Sequence, residues 1–382
     1  MISKERLTRL LLELIQMDSP SRREREVALR LRKEMEELGA EATIDDAGEN
    51  VGGNTGNVLA RIRGTVPGAP PFLLSAHMDT VMPGEGVAPI IEGDVIRSDG
   101  RTVLGGDDKS GVAIICEVIR TLQEQKIGHG DLEVVFTICE EAGLLGAKHL
   151  DTGRLRARRG LVLDSDDVGF LFTKAPGADR LEFTVHGLEA HAGVCPENGI
   201  SAIVVAAEAI AAMRLGRIDS ETTANIGVIE GGVATNIVPN KVLLKGEVRS
   251  HSEEKLTAQT NHIRACLREA AARHRITIEG VSHGARVEEK ISRDFDRMDV
   301  PDSSPLVRLV REAAARCGYT VSTRATGGGC DANVFNRRGI EVANLGTGMQ
   351  AIHTVKEWLN VNDMVRAARI VLEIVRLNAT PP

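Results

Sequence analysis

Five short aliphatic runs constrain this chain more than any other feature: residues 58–62, 72–76, 134–138, 160–163 and 341–345. Each is of strand length and rich in β-branched or aliphatic residues, as buried sheet strands are. Helix-like stretches lie between them, notably 111–123 and 144–150. That alternation predicts an α/β fold, a sheet layered between helices. Residues 6–38 read as helical, interrupted by the turn Asp18-Ser19-Pro20-Ser21. Ser21 with Glu24 three positions on has the pattern of a capping box and predicts the start of a second helix there.

The texture changes near Pro176. Residues 181–185 alternate as a half-exposed strand does, 199–213 form an alanine-rich helical stretch, and 223–230 and 242–249 read as two more strands. A helix over 252–272 and a strand over 277–281 follow, and the helical segment 305–317 then resumes the first pattern. The order β-α-β-β-α-β predicts a small α+β domain over 176–288, inserted in a larger domain made of 1–175 and 289–382.

Composition excludes several classes. Aromatic residues are only 2% and the net charge is -7. Neither the stacking platforms nor the basic excess of a nucleic-acid-binding surface is present. No apolar run approaches the roughly 20 residues that span a bilayer. The N-terminus scatters charges through its apolar positions, unlike a signal peptide. The six cysteines, Cys116, Cys139, Cys195, Cys266, Cys317 and Cys330, are dispersed without a CxxC pair. Reduced thiols in a cytoplasmic protein are the expectation.

Acidic and histidine clusters follow the strand-like runs. His77-Met78-Asp79 comes after 72–76, Glu140-Glu141 after 134–138, Asp164 after 160–163, and His353 shortly after 341–345. Gly105-Gly106-Asp107-Asp108-Lys109 opens a helix. In an open α/β sheet, ligands bind outside the carboxyl ends of the strands. Residues far apart in sequence therefore meet at one rim. Alone, each cluster has an ordinary structural explanation. Together, two histidines and several carboxylates supply the donors for a pair of divalent cations. A phosphate loop at GGDDKSG is excluded, because its two aspartates would repel phosphate. No GxSxG elbow is present for a serine hydrolase.

The ordered segments SAHMDTV, GGDDKSG, TICEEAGLLGAKHL, LVLDSD, EAHAGV, GGVATNIVPN, GEVRS, GGGCDANVF and AIHTVKEWL run through essentially the whole chain. They resemble the zinc aminoacylase, carboxypeptidase G and peptidase T family of metallopeptidases. LVLDSD and GGGCDANVF are most similar to the peptidase T, or tripeptide aminopeptidase, branch. The resemblance implies a three-layer α/β/α zinc-exopeptidase domain carrying an inserted lid and dimerisation domain, hinged at Gly177 or a neighbour near Pro176 and around Val287 to Ile291. It also implies two metal ions, zinc by family habit with Co²⁺ or Mn²⁺ admitted by the oxygen-rich ligands. One metal falls to His77 and Asp164 and the other to Glu141 and His353, with Asp107 bridging through a cis peptide to Asp108. Spacing alone leaves Asp107 and Asp108 equivalent. Asp79 would support His77, and Glu140 would act as general base toward a metal-bridging water. His191, supplied by a partner subunit, would donate to the tetrahedral intermediate. Arg249, Asn236 and Gly328 would contact the substrate. The implied activity is hydrolysis of small peptides, tripeptides foremost, by a homodimer. Deacylation of N-acyl amino acids by the same metals is the alternative.

Overall fold

The computed structural model describes residues 1–380. The chain divides into two compact units, Met1–Ala175 together with the residues from Met298 onward, and Pro176–Arg297.

The first unit is built on a nine-stranded mixed sheet. At its centre, Leu132–Thr137, Phe72–His77, Arg159–Val162 and Glu341–Leu345 run parallel in that spatial order. Their burial explains the continuous aliphatic runs: every residue of Phe72–His77 and Leu132–Thr137 is buried. Val58–Ile62 and Phe170–Ala175 flank this block antiparallel. The helices Lys4–Ile15, Gly106–Glu124, Pro305–Arg316 and Val361–Asn378 pack on one another as one layer. Leu145–His149 and Asp331–Arg337 belong to the other. Mixed sheet and flanking helices give the expected α/β architecture. Because the four central strands share a direction, their carboxyl ends meet at one rim.

The second unit has a five-stranded antiparallel sheet, in which Lys241–Ser250 pairs with Thr222–Gly231 and Gly177–His186, and Gly177–His186 pairs also with Arg286–Phe295. The helices Ala202–Ala212 and Glu253–Arg273 pack together against it. Leu181, Phe183, Val185, Leu244, Ile263 and Leu267 centre a hydrophobic cluster of its own.

Three sequence expectations need correction. The predicted strand 277–281 is a two-stranded hairpin, Arg275–Ile278 with Val281–Gly284, outside the five-stranded sheet. The strand that completes the sheet is Arg286–Phe295, so Val287 to Ile291 is not a hinge and position 288 is no boundary; the unit ends at Arg297. Alternation in this strand is masked because its helix-facing side carries charges. Val287 and Ile291 pack on the hydrophobic cluster, while Glu289 binds Arg264 and Arg268, and Arg293 binds Asp179 and Glu253. Finally, the capping box does not form. Glu24 occupies the N-cap of Arg25–Glu37 without a side-chain cap bond, and the Ser21 hydroxyl donates instead to Asp79.

Candidate metal centre

His77 is the last residue of its strand, Asp164 lies two residues past Val162, and Glu140 and Glu141 lie in the turn that begins after Thr137. Asp107 enters from the loop that opens Gly106–Glu124, and His353 from the loop after Glu341–Leu345. All six line one cavity of about 450 Å³, together with Phe172, Gly328, Asn344 and Met349 among others.

Asp107 settles the choice that spacing leaves open. Its Oδ1 lies 3.1 Å from His77 Nε2, and its Oδ2 lies 3.1 Å from His353 Nε2. Each oxygen therefore faces a different histidine. Asp164 Oδ1 stands 3.9 Å from His77 Nε2, and Glu141 Oε1 2.8 Å from His353 Nε2. Asp108 turns away, its carboxylate accepting from the backbone amides of His77 and Gly111. The peptide bond between Asp107 and Asp108 is cis.

The donors form three overlapping triads, the ligand atoms of each lying within 4.8 Å of one another: His77, Asp107 and Asp164; Asp107, Glu141 and His353; and His77, Glu140 and Glu141, the first two sharing Asp107. Tetrahedral zinc with bonds near 2.0 Å spaces its donors about 3.3 Å apart, inside the observed range. His77 also presents the right nitrogen. Its Nδ1 lies 3.0 Å from the Asp79 carbonyl oxygen, which can only accept, so Nδ1 carries a proton and Nε2, facing Asp107, is the nitrogen left for a cation.

The electrostatics fit dications equally well. Burial, joined by repulsion from neighbouring carboxylates, pushes the Asp164 and Glu140 carboxyls well above their ordinary range and raises Glu141. Burial works the same way on Asp107, but hydrogen bonds from His353 and His77 outweigh it and hold that group low. His353 is raised to about 10 by its hydrogen bonds to Asp107 and Glu141. Burial would lower His77, yet its contacts with Asp107 and Asp79 carry it well above the usual imidazole range. Without cations, protons compensate the clustered negative charge; cations would displace them.

Asp79 does more than the expected support of His77. Its carboxylate is 3.4 Å from His77 Nδ1. Its hydrogen bonds are with the backbone amides of Glu140 (2.9 Å) and Glu141 (3.2 Å). The side chain thus ties the first histidine to the turn carrying the two glutamates.

Two residues that sequence reasoning missed hold ligands in place. Glu357, 1% exposed, accepts from the amides of Leu104, Gly105 and Asp107 at 2.6, 2.9 and 3.0 Å. Gly105 adopts a left-handed φ of 75°, and a Cβ on Gly106 would lie 3.1 Å from Glu357 Oε1, so the glycines let the loop wrap the carboxylate. Asn344 brackets Asp164, accepting from its amide and donating to its carbonyl. A charge four residues past His353, just before the apolar pair Trp358-Leu359, was the available signal for Glu357. For Asn344 it was a lone amide within an aliphatic run.

The other predicted residues divide between the cavity and the inserted unit. Gly328 lines the cavity, and a Cβ there would meet only Thr326 Oγ1 at 4.0 Å. Its φ is not left-handed, so the glycine leaves room rather than permitting a special backbone. His191, Asn236 and Arg249 belong to the inserted unit. His191 bridges Ile237, and the Ala192 amide donates to the Asn236 carbonyl, so His191 and Asn236 share one exposed loop pair. Arg249 lies on Lys241–Ser250, bonded to Glu247.

Residues 73–377 match the model of peptidase family M20/M25/M40. The Bacillus subtilis protein YqjE is 40% identical over 98% of this chain and 99% of its own length. The crystal structure of aminopeptidase PepT from Bacillus cereus is 41% identical, with a TM-score of 0.88, covering 99% of this chain and 100% of that one. That of a tripeptidase from Staphylococcus aureus is 36% identical, with a TM-score of 0.92, covering 99% of both. Such likeness over the full length, added to a rim of carboxylates and histidines, makes this chain a member of peptidase family M20/M25/M40 and a peptide hydrolase.

Proposed function

We propose that the protein is a two-metal aminopeptidase that removes the N-terminal residue of tripeptides. The observation that carries this reading is Asp107, whose two oxygens each face a different histidine with a further carboxylate beside it. Likeness to the Bacillus cereus aminopeptidase and the Staphylococcus aureus tripeptidase supports the substrate class.

His77, Asp107 and Asp164 would hold one cation, and Asp107, Glu141 and His353 the other. Zinc suits this donor set, and Co²⁺ or Mn²⁺ are compatible with it. When bound, the cations supply positive charge that polarises the scissile carbonyl and acidifies the attacking water.

Glu140 is the general base. It lines the cavity, is 8% exposed, and among the described residues no hydrogen bond claims its carboxylate. It takes the proton of the attacking water and delivers it to the amine that leaves. Gly328 leaves room for the peptide. His191 is the donor to the developing oxyanion, and Asn236 and Arg249 are substrate contacts.

The inserted unit is read as lid and dimerisation module. Thr222–Gly231 is paired on its outer side only through Thr223 and Ala224, which leaves residues 226–231 as an open edge. Ile229, Ile203 and Val204 are exposed beside it as apolar residues at 55%, 43% and 47%. An open edge with apolar neighbours suits pairing with a second copy. No helix among the described residues is long and apolar enough to cross a membrane. Six free thiols support a reducing, cytoplasmic setting.

The test is a panel of free tripeptides, N-acetylated tripeptides, and acetyl- and succinyl-amino acids. Release of the N-terminal residue from free tripeptides alone is expected. Turnover confined to the acyl amino acids would replace the aminopeptidase with a deacylase.

A further inference from the structure

The segment between the helices Lys4–Ile15 and Arg25–Glu37 does not merely join them. Ser19 Oγ donates to the Met78 carbonyl at 2.8 Å, and the Thr80 amide donates to the Ser19 carbonyl at 3.0 Å. The segment thus lies along Met78–Thr80. From it, Ser21 Oγ donates to Asp79 Oδ2 at 2.6 Å. Glu24, fully buried, accepts through Oε1 from the amide of Cys139 at 3.0 Å and from its thiol at 3.2 Å.

These contacts converge on one turn. The three successive amides of Cys139, Glu140 and Glu141 all donate to carboxylates: the first to Glu24, the other two to Asp79. The turn needs holding, because Cys139 has a φ of 51°, a left-handed backbone that non-glycine residues adopt only where their surroundings enforce it. The helical ladder of Arg25–Glu37 gains nothing from either side chain, since neither caps it. Glu24 Oε2 is buried without a partner, a cost that helix formation does not repay.

We propose that Ser21 and Glu24 are positioning residues for the base turn: they lock Asp79 and Cys139 so that the Glu140 carboxylate is presented to the cavity in one orientation. Of these neighbours, Glu141 meets His353 Nε2 at 2.8 Å and is read as ligand, while Glu140 is read as base, although carboxylate atoms of both lie within 4.8 Å of one another. A turn free to rock would exchange or blur those roles. The inference rests on the reading of Glu140 as general base.

The test uses Ser21→Ala, with Ser21→Thr as the conservative partner and Glu24→Gln as a second pair of readings, since glutamine keeps the acceptor for Cys139. For the metal-loaded enzyme on a tripeptide, Ser21→Ala is expected to lower kcat about tenfold, with KM and metal stoichiometry unchanged. Amide exchange measured by mass spectrometry on the peptide covering residues 138–143 of the metal-free protein should accelerate. Ser21→Thr should restore both, and Glu24→Gln should stay close to wild type in both. Wild-type kcat and wild-type exchange in Ser21→Ala would overturn the proposal, as would a threonine variant no better than alanine. If the unaltered protein turned over no tripeptide while Ser21→Ala still loosened residues 138–143, the peptidase reading would fall and the positioning would stand.

Discussion

The rim of the large sheet and the inserted unit both carry residues with expected roles in hydrolysis, but the molecule holds the two sets in opposite ways. At the rim, Asp79, Asp107 and Glu140 are buried, and the Asp79 carboxylate is fixed by groups from two distant stretches of chain, Ser21 and the Glu140–Glu141 turn. His191 and Asn236 are exposed, and backbone bonds within a single loop pair hold them. Burying charge without a fixed partner is costly, so the rim groups are only tolerable when the fold has pre-set their geometry. The exposed pair bears no such penalty, and its proposed contact with substrate would be made only on binding. The difference teaches which part of the chemistry is carried by the fold and which is left for binding to complete.

The largest effects should therefore come from the rim. Removing divalent cations by dialysis against a chelator should abolish peptide hydrolysis, and adding Zn²⁺, Co²⁺ or Mn²⁺ should restore it. Restoration by none of the three would break the reading of the donor set. Glu140→Gln keeps the shape of the side chain and removes the base, so kcat should fall about 10³-fold. Metal content, measured by mass spectrometry of the purified variant, should stay at the wild-type value. A variant that lost cations along with activity would place Glu140 among the ligands instead.

Much of this rim was legible in the sequence, for a physical reason. Parallel strands buried on both faces must be aliphatic throughout, so a histidine or carboxylate directly after such a run is bound to lie at the rim. The choice between Asp107 and Asp108 was not legible, because adjacent residues share every sequence signal. Only the backbone conformation at Gly105–Asp108 sends one toward the histidines and the other toward the His77 and Gly111 amides. Glu357 and Glu24 escaped because their partners are 250 and 115 residues away, and local patterning carries no trace of such contacts. The capping-box reading of Ser21 and Glu24 failed for the same reason: tertiary partners outbid a local motif worth only about 1 kcal/mol. In the inserted unit the strand Arg286–Phe295 was obscured by ion pairs on its inner side, where alternation is usually apolar.

An exposed donor should matter less than the base. His191→Ala is expected to lower kcat about 10²-fold, the usual loss for one oxyanion donor, while metal content and thermal stability stay at the wild-type level. The imidazole has no buried partner to abandon, so any sizeable drop in melting temperature would show that its role is architectural. An unchanged kcat would remove it from the reaction and leave the inserted unit with a purely structural part.

Glu357→Gln sharpens the comparison from the rim side. The amide keeps one accepting oxygen but sets an NH₂ against backbone amides that also donate, so at least one of the three hydrogen bonds of Leu104, Gly105 and Asp107 is lost. Asp107 should then be less well placed, and metal affinity should fall about tenfold, within the range for residues that orient ligands. Competition with a chromophoric chelator reads this directly, without reference to turnover. Unaltered affinity would mean that the loop conformation is enforced by packing against Leu359 rather than by the carboxylate.

The smallest effect belongs to the inserted unit's own architecture. Ser252 caps the long helix Glu253–Arg273, its hydroxyl accepting from the Lys255 amide at 3.3 Å. Ser252→Ala leaves that amide without its side-chain acceptor and should cost about 1 kcal/mol, read as a lower denaturant midpoint. Because the cap belongs to the inserted unit's own architecture, kcat on tripeptides and metal content should be unchanged. If this substitution lowered kcat as well, the inserted unit's stability would be coupled to turnover, and the division of labour between a pre-set rim and a responsive insertion would have to be abandoned.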